Sequence, residues 1–278
     1  MKMMVVCIVS GLMAIAGCAG TPYNGVAEKR INTSLAKAEE FYNLGMYANA
    51  ALAFEKVVRL AVVEQNAGLI TQAQFRYALS LERCFADPAL IRNAWDSAWH
   101  YARGYDTMTF DIALGWLNYR ISFSDSRQAH EVDQALVRLQ QDFPPKNILE
   151  KLQWLNLSGK WYMVQGMPHK AWDALDEAMK LVDGQDRNIL ENRDLAQAVS
   201  LTLYNRAMIL VGRKDFENAM GLFNRSLALD RQNNNISGVY ANLEAQAKLL
   251  DVKGETMRAE TIREQLLQIR QYISNLSF

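Results

Sequence analysis

Few residues of this chain are spaced for catalysis. The three histidines, His100, His130 and His169, stand isolated. None belongs to an HExxH run or to a Cys/His pattern with metal-ligand spacing. A nucleophilic serine would call for a G-x-S-x-G elbow, and phosphate binding for a P-loop or a G-x-G-x-x-G turn; the chain has none of these. Glu39-Glu40 and the group Asp173, Asp176 and Glu177 lie on helical runs. Neighbours at one-residue spacing on a helix do not face each other, so these read as solvated faces. No enzyme, cofactor or metal is expected. The thiols are more informative. Cys84 lies in the helical run Tyr77-Ala78-Leu79-Ser80-Leu81-Glu82-Arg83-Cys84-Phe85 and reads as a small core residue. Cys18 is different, because it closes a distinct N-terminal segment.

That segment opens with Lys2 and continues through Met3 to Ala16, fourteen mostly apolar residues, too few to span a bilayer. Ile15-Ala16-Gly17-Cys18 then resembles the lipobox of bacterial lipoproteins: an aliphatic residue, two small residues and cysteine. The resemblance implies cleavage before Cys18 and a lipid on its thiol. The mature chain would have 261 residues, held outside the cytoplasm by acyl chains whose methylenes contribute about 0.8 kcal/mol each. Ala19 follows the cysteine where an Asp usually retains such proteins in the inner membrane, so the periplasmic face of the outer membrane is the expected location. Gly20, Thr21, Pro22, Asn24 and Gly25 read as a loose tether. The expected divisions are a signal at 1–17, a lipidated tether at 18–30, a helical domain at 31–273 and a tail at 274–278. With Cys7 removed and Cys18 lipidated, Cys84 has no thiol to pair with internally.

Lys+Arg and Asp+Glu both number 30, so nothing suggests the basic surface that nucleic acid requires. Half the residues are hydrophobic, enough for a substantial core. There are only five prolines, and apolar residues recur at three- and four-residue spacing. The fold class is therefore all-α.

The helices also repeat. Residues 31–60 contain Ala38, Phe41, Gly45, Tyr47, Ala50, Phe54 and Leu60. Residues 152–181 contain Gly159, Tyr162, Gly166, Ala171, Leu175 and Ala178. Ala207, Leu210, Phe216, Ala219, Phe223 and Leu227 follow, then Ala247, Leu250, Gly254, Ala259 and Leu266. In each unit a small residue precedes an alanine by twelve: 38 to 50, 159 to 171, 207 to 219, 247 to 259. This pattern resembles the tetratricopeptide repeat, a helix–turn–helix unit. Small residues suit close helix crossings, and the turn glycine takes angles others resist. Two degenerate units lie between. In one, a helix over 71–85 precedes a second started by Asp87-Pro88. In the other, Ala113-Leu114-Gly115-Trp116 and Tyr119 precede a helix over 125–142 that ends at Pro144-Pro145. Gly184 to Asn188 and Arg231 to Asn235 read as loops, and 256–273 as a polar last helix. The resemblance implies six antiparallel hairpins stacked into a right-handed superhelical solenoid.

In such arrays the first helices line a groove for a protein or peptide partner. Projected residue by residue, the groove positions are Glu39, Tyr42 and Asn43, then Gln153, Asn156 and Lys160, then Tyr204 and Met208, and finally Glu244, Lys248 and Asp251. Trp95, Trp99, Trp116, Trp154, Trp161 and Trp172 concentrate in the middle of the chain. They read either as core between long helices or as an aromatic groove for a peptide or glycan. The resulting expectation is a lipid-anchored scaffold that binds protein partners, of the kind that assembles a pilus, a secretin or another outer-membrane complex. The alternative is a lipoprotein that captures a glycan or small molecule through its tryptophans.

Overall fold

The computed structural model describes residues 23–123, 129–183 and 192–275. Cys18 and the segment before it lie outside these residues. Twelve α-helices and no strand occur among them. They are α1 (Tyr23–Asn43), α2 (Tyr47–Val63), α3 (Ala67–Arg83), α4 (Pro88–Gly104), α5 (Phe110–Phe123), α6 (Ala129–Asp142), α7 (Ile148–Val164), α8 (Pro168–Asp183), α9 (Arg193–Gly212), α10 (Phe216–Gln232), α11 (Ile236–Val252) and α12 (Thr256–Asn275). Successive helices pair into hairpins, and each hairpin packs on the next. From α5 onward the first helices also touch one another: α5 on α7, α7 on α9, α9 on α11. The architecture is an all-α helical-repeat solenoid, with the first helices on its inner side.

The small residues spaced twelve apart occupy the crossings. Ala38, Ala50, Ala171, Ala207, Ala219 and Ala259 are wholly inaccessible, and Ala247 nearly so. At Gly159 a β-carbon would lie 2.8 Å from Leu175 Cγ, so that crossing admits glycine alone without a shift. Phe54, Leu175 and Phe223, each four residues after its alanine, fill the space beside the crossing and are also inaccessible. The irregular hairpins use the same device in another register: a β-carbon at Gly115 would lie 2.5 Å from the Trp95 ring.

One turn recurs. At the end of α1, Gly45 N–H donates to Tyr42 C=O (3.1 Å) and Met46 N–H to Phe41 C=O (2.9 Å). This pair satisfies carbonyls that the helix end leaves open. It repeats at Gln65/Asn66, Phe85/Ala86, Gly166/Met167, Lys214/Asp215, Asn234/Asn235 and Gly254/Glu255. The first residue of each pair has positive φ. Three are the expected glycines, while Gln65, Phe85, Lys214 and Asn234 take the same left-handed angles with a β-carbon present. In several turns the next residue caps the following helix: Asn66 accepts from Leu69 N–H and Asp215 from Asn218 N–H. Asp87 caps α4 by accepting from Ala89 N–H (2.8 Å), with Pro88 in the first helical position.

Some boundaries differ from the sequence reading. α1 begins at Tyr23, so Asn24 and Gly25 are helical rather than tether. The strong helix formers Ala27, Glu28, Lys29 and Arg30 extend the helix back through them. α10 runs through Arg231 and Gln232, leaving only the three asparagines as turn. Residues 184–188 lie outside the described residues. Cys84 caps the end of α3, half-buried and packed against the core around Ala38, Tyr47 and Phe54.

Two substitutions test this packing. Ala219→Arg places a long cation at a closed crossing, and the expected loss is about 3 kcal/mol or more, read as a lower denaturation midpoint. Lys214→Gly removes a β-carbon from a left-handed position. It should raise stability by about 1 kcal/mol in the same measurement.

Candidate functional site

The inner face is built mainly from α3, α5, α7 and α9, and it is largely filled by its own side chains. Tyr42 is buried. Its ring packs edge-on against Tyr47 and Phe54, with the Arg76 and Arg83 guanidiniums 5.1 and 5.0 Å from its centroid. Glu39 pairs with Arg76 at 3.4 Å. Asn43 remains exposed.

Further along, Lys160 is a strut and not a free cation. Its ammonium donates to Asn118 Oδ1 (2.7 Å), to Asn118 C=O (3.4 Å) and to Ser122 Oγ (2.6 Å), tying α7 to α5. Burial lowers its pKa to about 8, and the Glu82 carboxylate opposes that fall. Glu82 in turn accepts from Trp95 Nε1 at 3.3 Å, and burial raises its carboxyl above the ordinary value. Asp111, near the start of α5, is also raised by burial, with Glu150 and Asp194 adding to the rise and Arg76 opposing it. Charges from three other first helices, α3, α7 and α9, therefore act on this carboxylate of α5.

Asn156 is fully enclosed. Its amide donates to Ala198 C=O (2.9 Å) across to α9, while its Oδ1 finds no acceptor role among the described residues; the same holds for Gln153 Oε1. Tyr204 packs at 5.6 Å on Phe223, beside half-buried Met208. Burial, and then the Glu244 charge, raises the Tyr204 phenol. Glu244 pairs with Lys248 at 3.2 Å, and Asp251 accepts from Arg263. Of the eleven projected positions, the middle ones are thus occupied by the fold's own contacts. Asn43 at one end, with Glu244 and Lys248 at the other, stays open to solvent.

The tryptophans are mostly packing residues. Trp95 is inaccessible and stacks near Tyr119, and Trp161 is buried with its Nε1 donating to Asp133 (2.6 Å). Trp99 and Trp116 are half-buried and stack on each other at 4.1 Å. Trp172 lies under Arg206 and Arg213 and floors a cleft of about 540 Å³, rimmed by Asp215, Glu217 and Arg225. Its mixed charges favour no single ligand charge.

Sequence reasoning missed a buried polar centre between α9, α10 and α11. Asp230 is 2% exposed and accepts from Asn235 Nδ2 (2.7 Å) and Asn242 Nδ2 (2.9 Å). Ser200 and Ser226 hydroxyls meet at 2.8 Å beside it. A β-carbon at Gly238 would lie 2.3 Å from Asp230 Oδ2, so glycine there makes room for the carboxylate. The signal available was a helical Asp and Asn twelve residues apart, which carries no weight without the fold. His100, His130 and His169 are all exposed. Among the described residues no group of three or more His, Cys, Asp or Glu side chains could hold a metal ion. No helix among them is long and apolar enough to cross a membrane. No protein-family model matches the chain, and no curated protein does either.

Lys160 gives a pH signature. Its pKa is near 8 in the folded chain against 10.5 unfolded. Below pH 8 both states carry the proton and the folded state bears the cost of the buried charge. Between pH 8 and 10.5 the unfolded state holds more protons, so this contribution to stability rises with pH. Melting temperatures of wild type and Lys160→Met should therefore diverge in favour of wild type across that window, and parallel curves would contradict the assignment.

Proposed function

We propose that the chain is a non-enzymatic, lipid-anchored scaffold of tetratricopeptide type in the bacterial envelope. The observation that carries this reading is the run of hairpins with small residues closed into their crossings, at the same twelve-residue separation in four of them. The recurring left-handed turn supports it. Ile15-Ala16-Gly17-Cys18 supplies the anchor in this reading, through a lipid on the Cys18 thiol, and Ala19 directs the protein to the outer membrane. An array of this kind presents a long edge and several open helix faces, which suits a protein partner better than a small molecule. Assembly of a pilus, a secretin or another outer-membrane complex is the proposed setting. The burial of Trp95 and Trp161 and the mutual stacking of Trp99 and Trp116 weigh against a tryptophan-lined glycan site.

Two experiments test the reading. Cys18→Ser should abolish incorporation of labelled palmitate and release the protein from the membrane fraction; retained label would remove the anchor. Brief cross-linking in cells, followed by capture of the anchored protein, should recover a secretin, a barrel-assembly component or a cell-wall hydrolase. Recovery of a bound glycan without a protein would replace the scaffold with the ligand-binding alternative.

A further inference from the structure

Two contacts join parts of the chain that the stacking order keeps apart. The Phe85 ring, in the turn between α3 and α4, lies 4.8 Å from the Tyr240 ring on α11. Gly45, in the turn between α1 and α2, faces Ile236, whose Cδ1 would be 3.9 Å from a β-carbon there. Both turns lie on the edge formed within hairpins. Ile236 and Tyr240 lie on the opposite edge, just after the turn that joins the fifth hairpin to the sixth. The array therefore curves until its first edge meets its last hairpin.

Phe85 has a second peculiarity. It holds φ +55° in a turn whose counterparts are Gly45, Gly166 and Gly254 or Gln65, Lys214 and Asn234, and it is the one aromatic among the seven. A bulky residue in left-handed backbone is disfavoured for the turn alone. Its ring is partly exposed and is spent on Tyr240 rather than on the core of its own hairpin. Nothing in the local turn needs an aromatic side chain, and the distant contact does.

We propose that Phe85 and Tyr240, with Gly45 and Ile236, form a clasp that holds the solenoid closed. The contact is apolar and small, so it can open without unfolding either hairpin.

The test is a distance measurement on the full chain. Nitroxides carried on unnatural residues at Leu52 and Leu267, both well exposed, leave the cysteines untouched. Pulsed electron resonance should give one narrow distribution for wild type and for Phe85→Tyr. Phe85→Gly places the favoured residue in the turn, so the hairpin keeps its fold, and helical circular dichroism checks this. The expected result for Phe85→Gly is a shift to a longer and broader distribution. Identical distributions in wild type and Phe85→Gly would overturn the clasp. This measurement involves no partner, so its failure leaves the cross-linking result standing, and failure of the cross-linking leaves the clasp standing.

Discussion

The structure depends on how closely two helices can approach. Where Ala38 faces α2, or Gly159 faces Leu175, the side chain at the crossing has almost no volume, and the neighbouring Phe or Leu closes the gap around it. Interiors pack near crystal density, so a methylene too many at such a point displaces both helices. Because each hairpin supplies the groove for the next, an error at one crossing is passed along the array. This is the reason the same small residue returns at the same separation while the surface residues vary freely.

Between crossings the chain must reverse within a few residues, and it does so with one hydrogen-bonded turn. That turn demands a left-handed residue, and glycine is the easiest solution. The protein accepts Gln65, Phe85, Lys214 and Asn234 there as well. The two carbonyls satisfied at each turn, together with an Asn or Asp capping the next helix, compensate part of the backbone cost. Packing on both sides then over-determines the conformation.

The interior is not uniformly apolar. Asp230 with its asparagine and serine partners sits between three helices, and Glu82 and Lys160 lie on the inner side of the middle hairpins. Buried polar groups of this kind are tolerated when their hydrogen bonds are met, and they specify one arrangement of the helices around them. Lys160 holds α5 and α7 in register through Asn118 and Ser122, while Asn156 holds α7 and α9. The inner face is therefore chiefly a structural seam, with solvent-facing polar groups at its two ends.

By itself, the sequence determined the helical class, the hairpin order and the residues at the crossings, because these follow from local periodicity and from side-chain size. Asp87-Pro88 likewise placed a helix start, since a cap acts on its own first turn. The tertiary structure decided the rest. Tyr42 and Asn156 occupy groove positions by register yet are buried, because Tyr47, Phe54, Arg76 and Arg83 close over the first and α9 closes over the second through Ala198. The tryptophans, close in sequence and equally compatible with a groove or a core, owe their packing mostly to neighbours distant in the chain, such as Tyr119 beside Trp95 and Asp133 beside Trp161. The pairing of Phe85 with Tyr240 could not be read from the chain at all. It depends on small rotations summed over successive hairpins, and no local pattern of residues encodes such a sum.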